Sequence, residues 1–495
     1  MRKFPPAIVY SPRRSMSELF MNLVSLDYLE VGVTMPSKRV VLAEYFITED
    51  GTLLFVIRKD FDRPEKFEIK KSLSEIRQFV IKHFAEQKDD NNRVVMTTGQ
   101  KVRGLDEKAF NTFFQPFIAP LVLESSKGDP ITNAGDIIWF VPHDMLHYIP
   151  LHAVRLGDSY LADRNPVCYT PSASVMKYCQ RKRKGRMEKA LVFGDSLSDL
   201  IYARHEAFAI AELFSSVPYL YSQATKAVVK EKLKIENNDI DILHFSCHGK
   251  FDKNHPLKSH IVLAPQETSS AVKEIDGEKW NLTAEEIFGL EMNASLVTLS
   301  ACESGINDLR PGDELIGLTR SLIYAGTPSV IVSLWAVEDL STSLVMQYFY
   351  QELRKPVKND ENRKVMKVEA LQRAQQYVRN LTAQEVIDYC DGYLTKSSEP
   401  VNHARSIPLQ LAKAYSQTSA YDLKSAIATY ENILSKLTES EKVVNKKYFD
   451  DISRKVERLK FLEEKTRYKR PVNYNKRLFD YIYHWAPFIL VGDWK

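Results

Sequence analysis

Apolar residues in this chain fall into two rhythms, short unbroken runs and stripes at helical spacing, and these alternate over most of its length. Val40 to Phe46 and Leu53 to Ile57 are the first two runs, and Asp50-Gly51 between them is a hairpin turn signal. Ser72 and Glu75 then stand at capping-box spacing, which predicts a helix with Ile76, Phe79, Val80 and Phe84 on one face. Ile137 to Val141 is another buried run. These elements make a first α/β lobe over residues 35–180, after a lead-in segment, 1–34, that carries no clear periodicity.

Arg181 to Arg186 is a basic connector and reads as a solvated linker. A second lobe, 187–390, follows it. Its apolar runs are Ala190 to Phe193, Ile240 to Phe245, Ala294 to Leu299 and Val330 to Trp335. Between them lie helical stripes: Ala207, Ile210, Ala211 and Phe214; Leu315, Leu318 and Leu322, stopping at Gly326 and Pro328; and a helix around Leu344 to Leu353. Strands apolar on both faces and alternating with helices predict an α/β fold, a mostly parallel sheet flanked by helices. Over 391–476 the strand signals vanish. Ile427, Tyr430, Leu434 and Leu437 form one stripe and Phe449, Ile452, Val456 and Leu459 another, which predicts a small helical module. Trp485 to Gly492 turns strand-like again, so 477–495 reads as a terminal strand returning to the second lobe and the helical module as an insertion.

Composition narrows the class. Hydrophobic residues at 44% and charged residues at 27% describe an ordinary globular chain of 495 residues, and a net charge of +4 is too small to imply a nucleic-acid or membrane partner by itself. Arg467, Tyr468, Lys469 and Arg470 interleave charge with an aromatic ring, which RNA-binding segments do but an exposed helix end also does. No apolar run approaches the ~20 residues that span a bilayer, and the N-terminus lacks the apolar core of a secretory signal. Cys168, Cys179, Cys247, Cys302 and Cys390 are sparse and odd in number, which fits reduced thiols better than a disulfide framework. The expected location is cytoplasmic.

Two strand ends carry the chemistry. The run Ile240 to Phe245 leads through Ser246 and Cys247 to His248 and Gly249, and the run Ala294 to Leu299 leads through Ser300 and Ala301 to Cys302. Open α/β sheets place their sites beyond the carboxyl ends of such strands. A histidine there serves as a base and a cysteine as a nucleophile, and their separation of about 54 positions matches the caspase arrangement. The backbone N–H groups of Gly249 and Cys302 are candidate oxyanion donors. Taken alone, each residue has a bland reading as well: a buried cysteine is more often packing than nucleophile. His244, inside the strand, reads as a satisfied core residue, and Glu303 beside the cysteine either orients it or faces solvent. His143, His147 and His152 have some metal-ligand spacing but lie where packing is expected, so no metal is assigned.

Leu243 to Gly249, followed by Asp252, Pro256-Leu257 and Ser259, resembles the histidine box of the CHAT domain, a group of caspase- and separase-like clan CD cysteine proteases. Ser300 to Gly305, followed by Gly312-Asp313-Glu314, resembles that family's cysteine box. Leu334 to Asp339, Trp485 to Phe488 and Val141 to Leu151 are similar to it too. The resemblance implies a caspase-like sheet in two lobes, the first pseudo-caspase-like and the second catalytic. It also implies cysteine endopeptidase activity through His248 and Cys302, with no metal or cofactor in the reaction. Asp313, Glu314, Glu338 and Asp339 are candidate walls of a substrate pocket, where acidic groups would favour a basic residue; as solvated loop acids they need no such role. The partners implied are a protein substrate and an activator or sensor protein contacting the helical insertion, with no membrane, in a bacterial defence or programmed-death pathway. The rival is a non-catalytic scaffold that binds a partner through the same lobe.

Overall fold

Asp50-Gly51 turns the chain between two strands that pair antiparallel, Val40–Ile47 (β1) and Thr52–Ile57 (β2), and Glu65–Ile69 (β3) extends the meander. The computed structural model describes residues 40–88, 94–96, 100–234, 240–252, 255–266, 277–301, 308–310, 314–337, 339–357, 360–396, 403–437, 446–465 and 470–495. The lead-in segment 1–34 lies outside these residues. Eight further strands join the same sheet: Ile137–Val141 (β4), Val167–Tyr169 (β5), Ala190–Gly194 (β6), Tyr219–Leu220 (β7), Ile242–Ser246 (β8), Leu296–Leu299 (β9), Ser329–Ser333 (β10) and Phe488–Gly492 (β11). Their order is β7-β6-β8-β9-β10-β11-β5-β4-β1-β2-β3. All neighbours run parallel except β1–β2, β2–β3 and β10–β11. This is the mixed, mostly parallel sheet that the strand–helix alternation predicts.

The terminal strand does more than return to the second half. β11 pairs antiparallel with β10, from Ser329↔Gly492 to Ser333↔Phe488, and parallel with β5 at Val491↔Tyr169. It therefore stitches the first and second halves into one sheet. All five of its residues are buried.

Apolar residues dominate both faces of the central strands because both faces of the sheet are covered. On one side a continuous core runs from Phe193, Phe245, Leu299 and Val332, with Leu322 of Leu318–Ala325 (α5), to Ile76 and Val80 of a helix over Leu73–His83 (α1) and the phenylalanines of Glu107–Ile118 (α2); Cys179 of Ala173–Lys182 (α3) joins it, and the next helix, Ile201–Leu213 (α4), packs mainly on the opposite face. On the other side Val192, Ile242, Leu296 and Ile331 meet Ala207 and Ile210 of α4, Phe349 and Tyr350 of Asp339–Arg354 (α6) and Leu371 of Lys367–Asn380 (α7). α1 starts in the capping box read from the sequence, with the Glu75 N–H donating to Ser72 Oγ and the Glu75 carboxylate accepting from the Ser72 N–H. α5 stops at Gly326 in the left-handed conformation, the cap expected there.

The helical run after α7 comprises Ala383–Lys396 (α8), His403–Ser419 (α9), Leu423–Lys436 (α10) and Lys446–Lys465 (α11). Val386 and Cys390 of α8 and Leu409 of α9 belong to the sheet-face core. Ile407, Leu411, Ile427, Tyr430, Ile452 and Val456 close a cluster of their own, and Ile201 at the start of α4 is buried in it. Among the described residues no helix is long and apolar enough to cross a membrane.

The basic connector is largely exposed, as a solvated linker would be, yet two of its arginines reach buried carboxylates. Arg183 bonds the buried Asp493 carboxylate through Nε at 2.8 Å, and Arg186 Nε reaches the largely buried Asp241 at 3.2 Å. Lys367 Nζ, also buried, contributes a second cation to Asp493 at 3.3 Å. Buried carboxylates need such partners, because an unpaired buried charge costs several kcal/mol (~3–5).

His152 shows the same rule for a group without a charge partner. It is 3% exposed, with Nδ1 2.9 Å from the Tyr169 hydroxyl, and burial pushes its pKa down from 6.5 to about 3. The unfolded chain therefore binds the proton first, so stability is intact above pH 6.5 and falls below it. Between pH 7.5 and 5.5 the loss is about 1.4 kcal/mol. Urea unfolding at the two pH values should show that loss in the wild type and its disappearance in His152→Gln.

Candidate functional site

β8 and β9 are parallel neighbours in register from Ile242↔Leu296 to Phe245↔Leu299. Beyond them the chain stays fastened: the Ser300 N–H donates to the Phe245 carbonyl at 2.8 Å, and Ser333 Oγ at the end of β10 donates to the Ala301 carbonyl at 2.6 Å. His248 follows Phe245 by three positions and Cys302 follows Leu299 by the same three. Cys302, Glu303, Asp313 and Glu338 lie outside the described residues. Glu314 begins a short strand, Glu314–Ile316, paired with Asp308–Arg310, and Asp339 begins α6.

His248 sits at the exit of β8 with its side chain 36% exposed. Its Nε2 is 3.0 Å from both carboxylate oxygens of Asp199. Its carbonyl accepts the Val262 N–H at 2.9 Å, and Gly249 pairs with Ile261 in a small antiparallel sheet. The histidine is thus held from its backbone and at its ring. Asp199 escaped the sequence reading. It comes from the loop after β6, 49 residues before His248, and no motif marks it.

The other histidine of β8 has a different life. His244 is 0% exposed, with Nε2 2.9 Å from the buried Glu206 carboxylate and Nδ1 3.2 Å from the Tyr350 hydroxyl. Tyr350 in turn lies 2.7 Å from Thr298 Oγ1, and Thr298 is the register partner of His244 on β9. This network ties β8 to β9 behind the strand exits. The hydroxyls of Ser246 and Ser300, at those exits, are buried with no hydrogen-bond partner among the described residues.

Cys168, Cys179, Cys247 and Cys390 are all buried. Burial pushes the thiols of Cys179, Cys247 and Cys390 up to about 12 and raises that of Cys168 well above its ordinary value. These four are unreactive packing groups at neutral pH. The His143 ring lies 5.1 Å from that of Phe46 in a tilted arrangement and His152 is in the core, and among the described residues no three His, Cys, Asp or Glu side chains gather as a metal site. A charged cavity of about 350 Å³, lined by Glu107, Arg155, Tyr160, Arg379 and Tyr481 among others, does not include His248.

Tetratricopeptide repeat protein 28 of Mus musculus is 27% identical over 175 residues, which cover 30% of this chain and 7% of that protein. The Homo sapiens protein of the same name is 26% identical over 175 residues, with the same coverage. The chain thus spans a small part of the length of these curated relatives. Among solved structures, the Saccharomyces cerevisiae separase–securin complex is similar with a TM-score of 0.45 and 11% identity, covering 73% of this chain and 30% of that one. The Arg-specific cysteine proteinase gingipain R has a TM-score of 0.34 and 10% identity, covering 61% of this chain and 69% of that one. The family model of the CHAT domain matches residues 106–493, from the start of α2 to the residue after β11, and the chain belongs to that family.

Proposed function

We propose that this protein is a cysteine endopeptidase in which Cys302 is the nucleophile and His248 the base. The observation that carries the reading is the register of β8 and β9, which brings the two strand exits side by side three residues before each candidate group. His248 takes the proton from the Cys302 thiol, and the thiolate sulfur attacks the carbonyl carbon of the scissile peptide. The oxyanion is received by the backbone N–H groups of Gly249 and Cys302. His248 then returns the proton to the leaving amine, giving a thioester and a free amine, and water releases the acid product. The step needs no cofactor.

The substrate is a protein partner, with Asp313, Glu314, Glu338 and Asp339 as the acidic pocket walls. The helical module over 391–476 receives an activator or recruits the substrate. Its contact with Ile201, two residues past Asp199, supports that role, because a partner pressing on the module pushes on the loop beside His248. A defence or programmed-death setting follows from the family resemblance and is part of the proposal.

The test is incubation of the purified protein with proteins encoded beside it, with Cys302→Ala alongside. Cleavage by the wild type that vanishes in a folded, still-binding variant is the expected result. Equal behaviour of the two forms favours a scaffold that binds without cutting.

A further inference from the structure

Resting on the peptidase reading, we propose that Asp199 is a positioning residue for His248, held in place by the buried Asp195–Arg204 pair. Both Asp199 oxygens lie 3.0 Å from His248 Nε2. A carboxylate on this nitrogen keeps its proton there, so Nδ1 carries the lone pair that accepts the Cys302 proton. Once that transfer has happened, the same carboxylate faces an imidazolium and stabilises it.

The loop that presents Asp199 is built rather than slack. Asp195 and Ser198 both have positive φ, 44° and 65°, a conformation that is strained for a non-glycine residue. It persists because the surroundings hold it. The Asp195 N–H donates to the Ser246 carbonyl at 2.9 Å, and the Asp195 carboxylate accepts the Leu200 N–H at 2.8 Å and Arg204 Nε at 2.9 Å. Asp195 is 0% exposed, and the Arg204 guanidinium lies 4.9 Å from the Tyr221 ring centroid. Ser196 Oγ donates to the Val262 carbonyl at 2.8 Å. Ser246 is two residues before His248, and the Val262 N–H bonds the His248 carbonyl. The loop is therefore fastened to the segment carrying His248 and to the strand that braces it. Ile201 anchors the far end in the helical module.

The experiment alkylates the full-length protein with iodoacetamide and follows Cys302 by mass spectrometry at pH 7 and pH 9.5. At pH 9.5 a cysteine thiol ionises unaided, whereas at pH 7 the thiolate depends on the base. Asp199→Ala should slow labelling about tenfold at pH 7 and leave the pH 9.5 rate within about twofold. Asp199→Asn should fall between it and the wild type, because its amide oxygen still accepts the Nε2 proton but carries no charge. Melting temperatures should agree, since Asp199 is 55% exposed. Wild-type labelling at pH 7 in Asp199→Ala, or an equal fall at both pH values, overturns the assignment. His248→Ala in the same assay separates the two readings. If it labels slowly while Asp199→Ala labels normally, only the role of Asp199 falls; if it too labels normally, the dyad and Asp199 fall together.

Discussion

His248→Ala is expected to lower kcat/KM for a cleaved partner by a factor of about 100 to 10,000, the range lost when a general acid–base is removed. Its urea midpoint should stay near that of the wild type, because the side chain is 36% exposed and such positions usually shift stability by no more than about 0.5 kcal/mol. His244→Ala should do the reverse to the fold. That ring is fully buried between Glu206 and Tyr350, so removing it strands the Glu206 carboxylate and costs about 3–5 kcal/mol. Two histidines four residues apart, one inside β8 and one just past its end, are thus expected to separate chemistry from packing. Loss of both activity and stability in His248→Ala would mean that its ring is a structural group.

The second large effect is Gly492→Ala. Gly492 closes β11 with φ at +95°, and a Cβ there would lie 2.3 Å from the Pro328 carbonyl oxygen. That oxygen also accepts the N–H of Asp493, whose carboxylate gathers Arg183 and Lys367. Moving this backbone disturbs the strand that joins both halves of the sheet. Left-handed strain and overpacking together predict a loss of about 4 kcal/mol. Gly128→Ala is the control, with a similar φ of +83° and nothing within 4 Å of its Cβ. It should cost about 1 kcal/mol, the strain alone. Equal losses in the two variants would mean that the close approach at Pro328 carries no weight.

The sequence announced features whose cause is local. β6, β8, β9 and β10 are predominantly apolar because each is buried on both faces, and the Ser72–Glu75 box and Gly326 mark helix ends by their own hydrogen bonds and backbone angles. Relations between distant segments were silent. The run from Trp485 was legible as a strand, but nothing in five apolar residues says that β11 pairs with β5 as well as β10. Arg183 reads as solvated because its partner, Asp493, is 310 residues away. Asp199 was invisible for the same reason: an aspartate in a polar loop has no signature until folding sets it against His248. His248 and Cys302 stand out as a candidate base and nucleophile by their places after strands, and the family resemblance points to the same two residues.

The central claim is that folding brings the Cys302 sulfur to the His248 ring. The most direct measurement is the Sγ-to-ring distance in a crystal structure of the protein alkylated at Cys302 by a peptidyl chloromethyl ketone. We predict a ring nitrogen within about 4 Å of the sulfur, near the reach of a catalytic hydrogen bond, with Asp199 on the opposite nitrogen. A sulfur that faces away from His248, with the ring turned elsewhere and the peptide held by other groups, would contradict it.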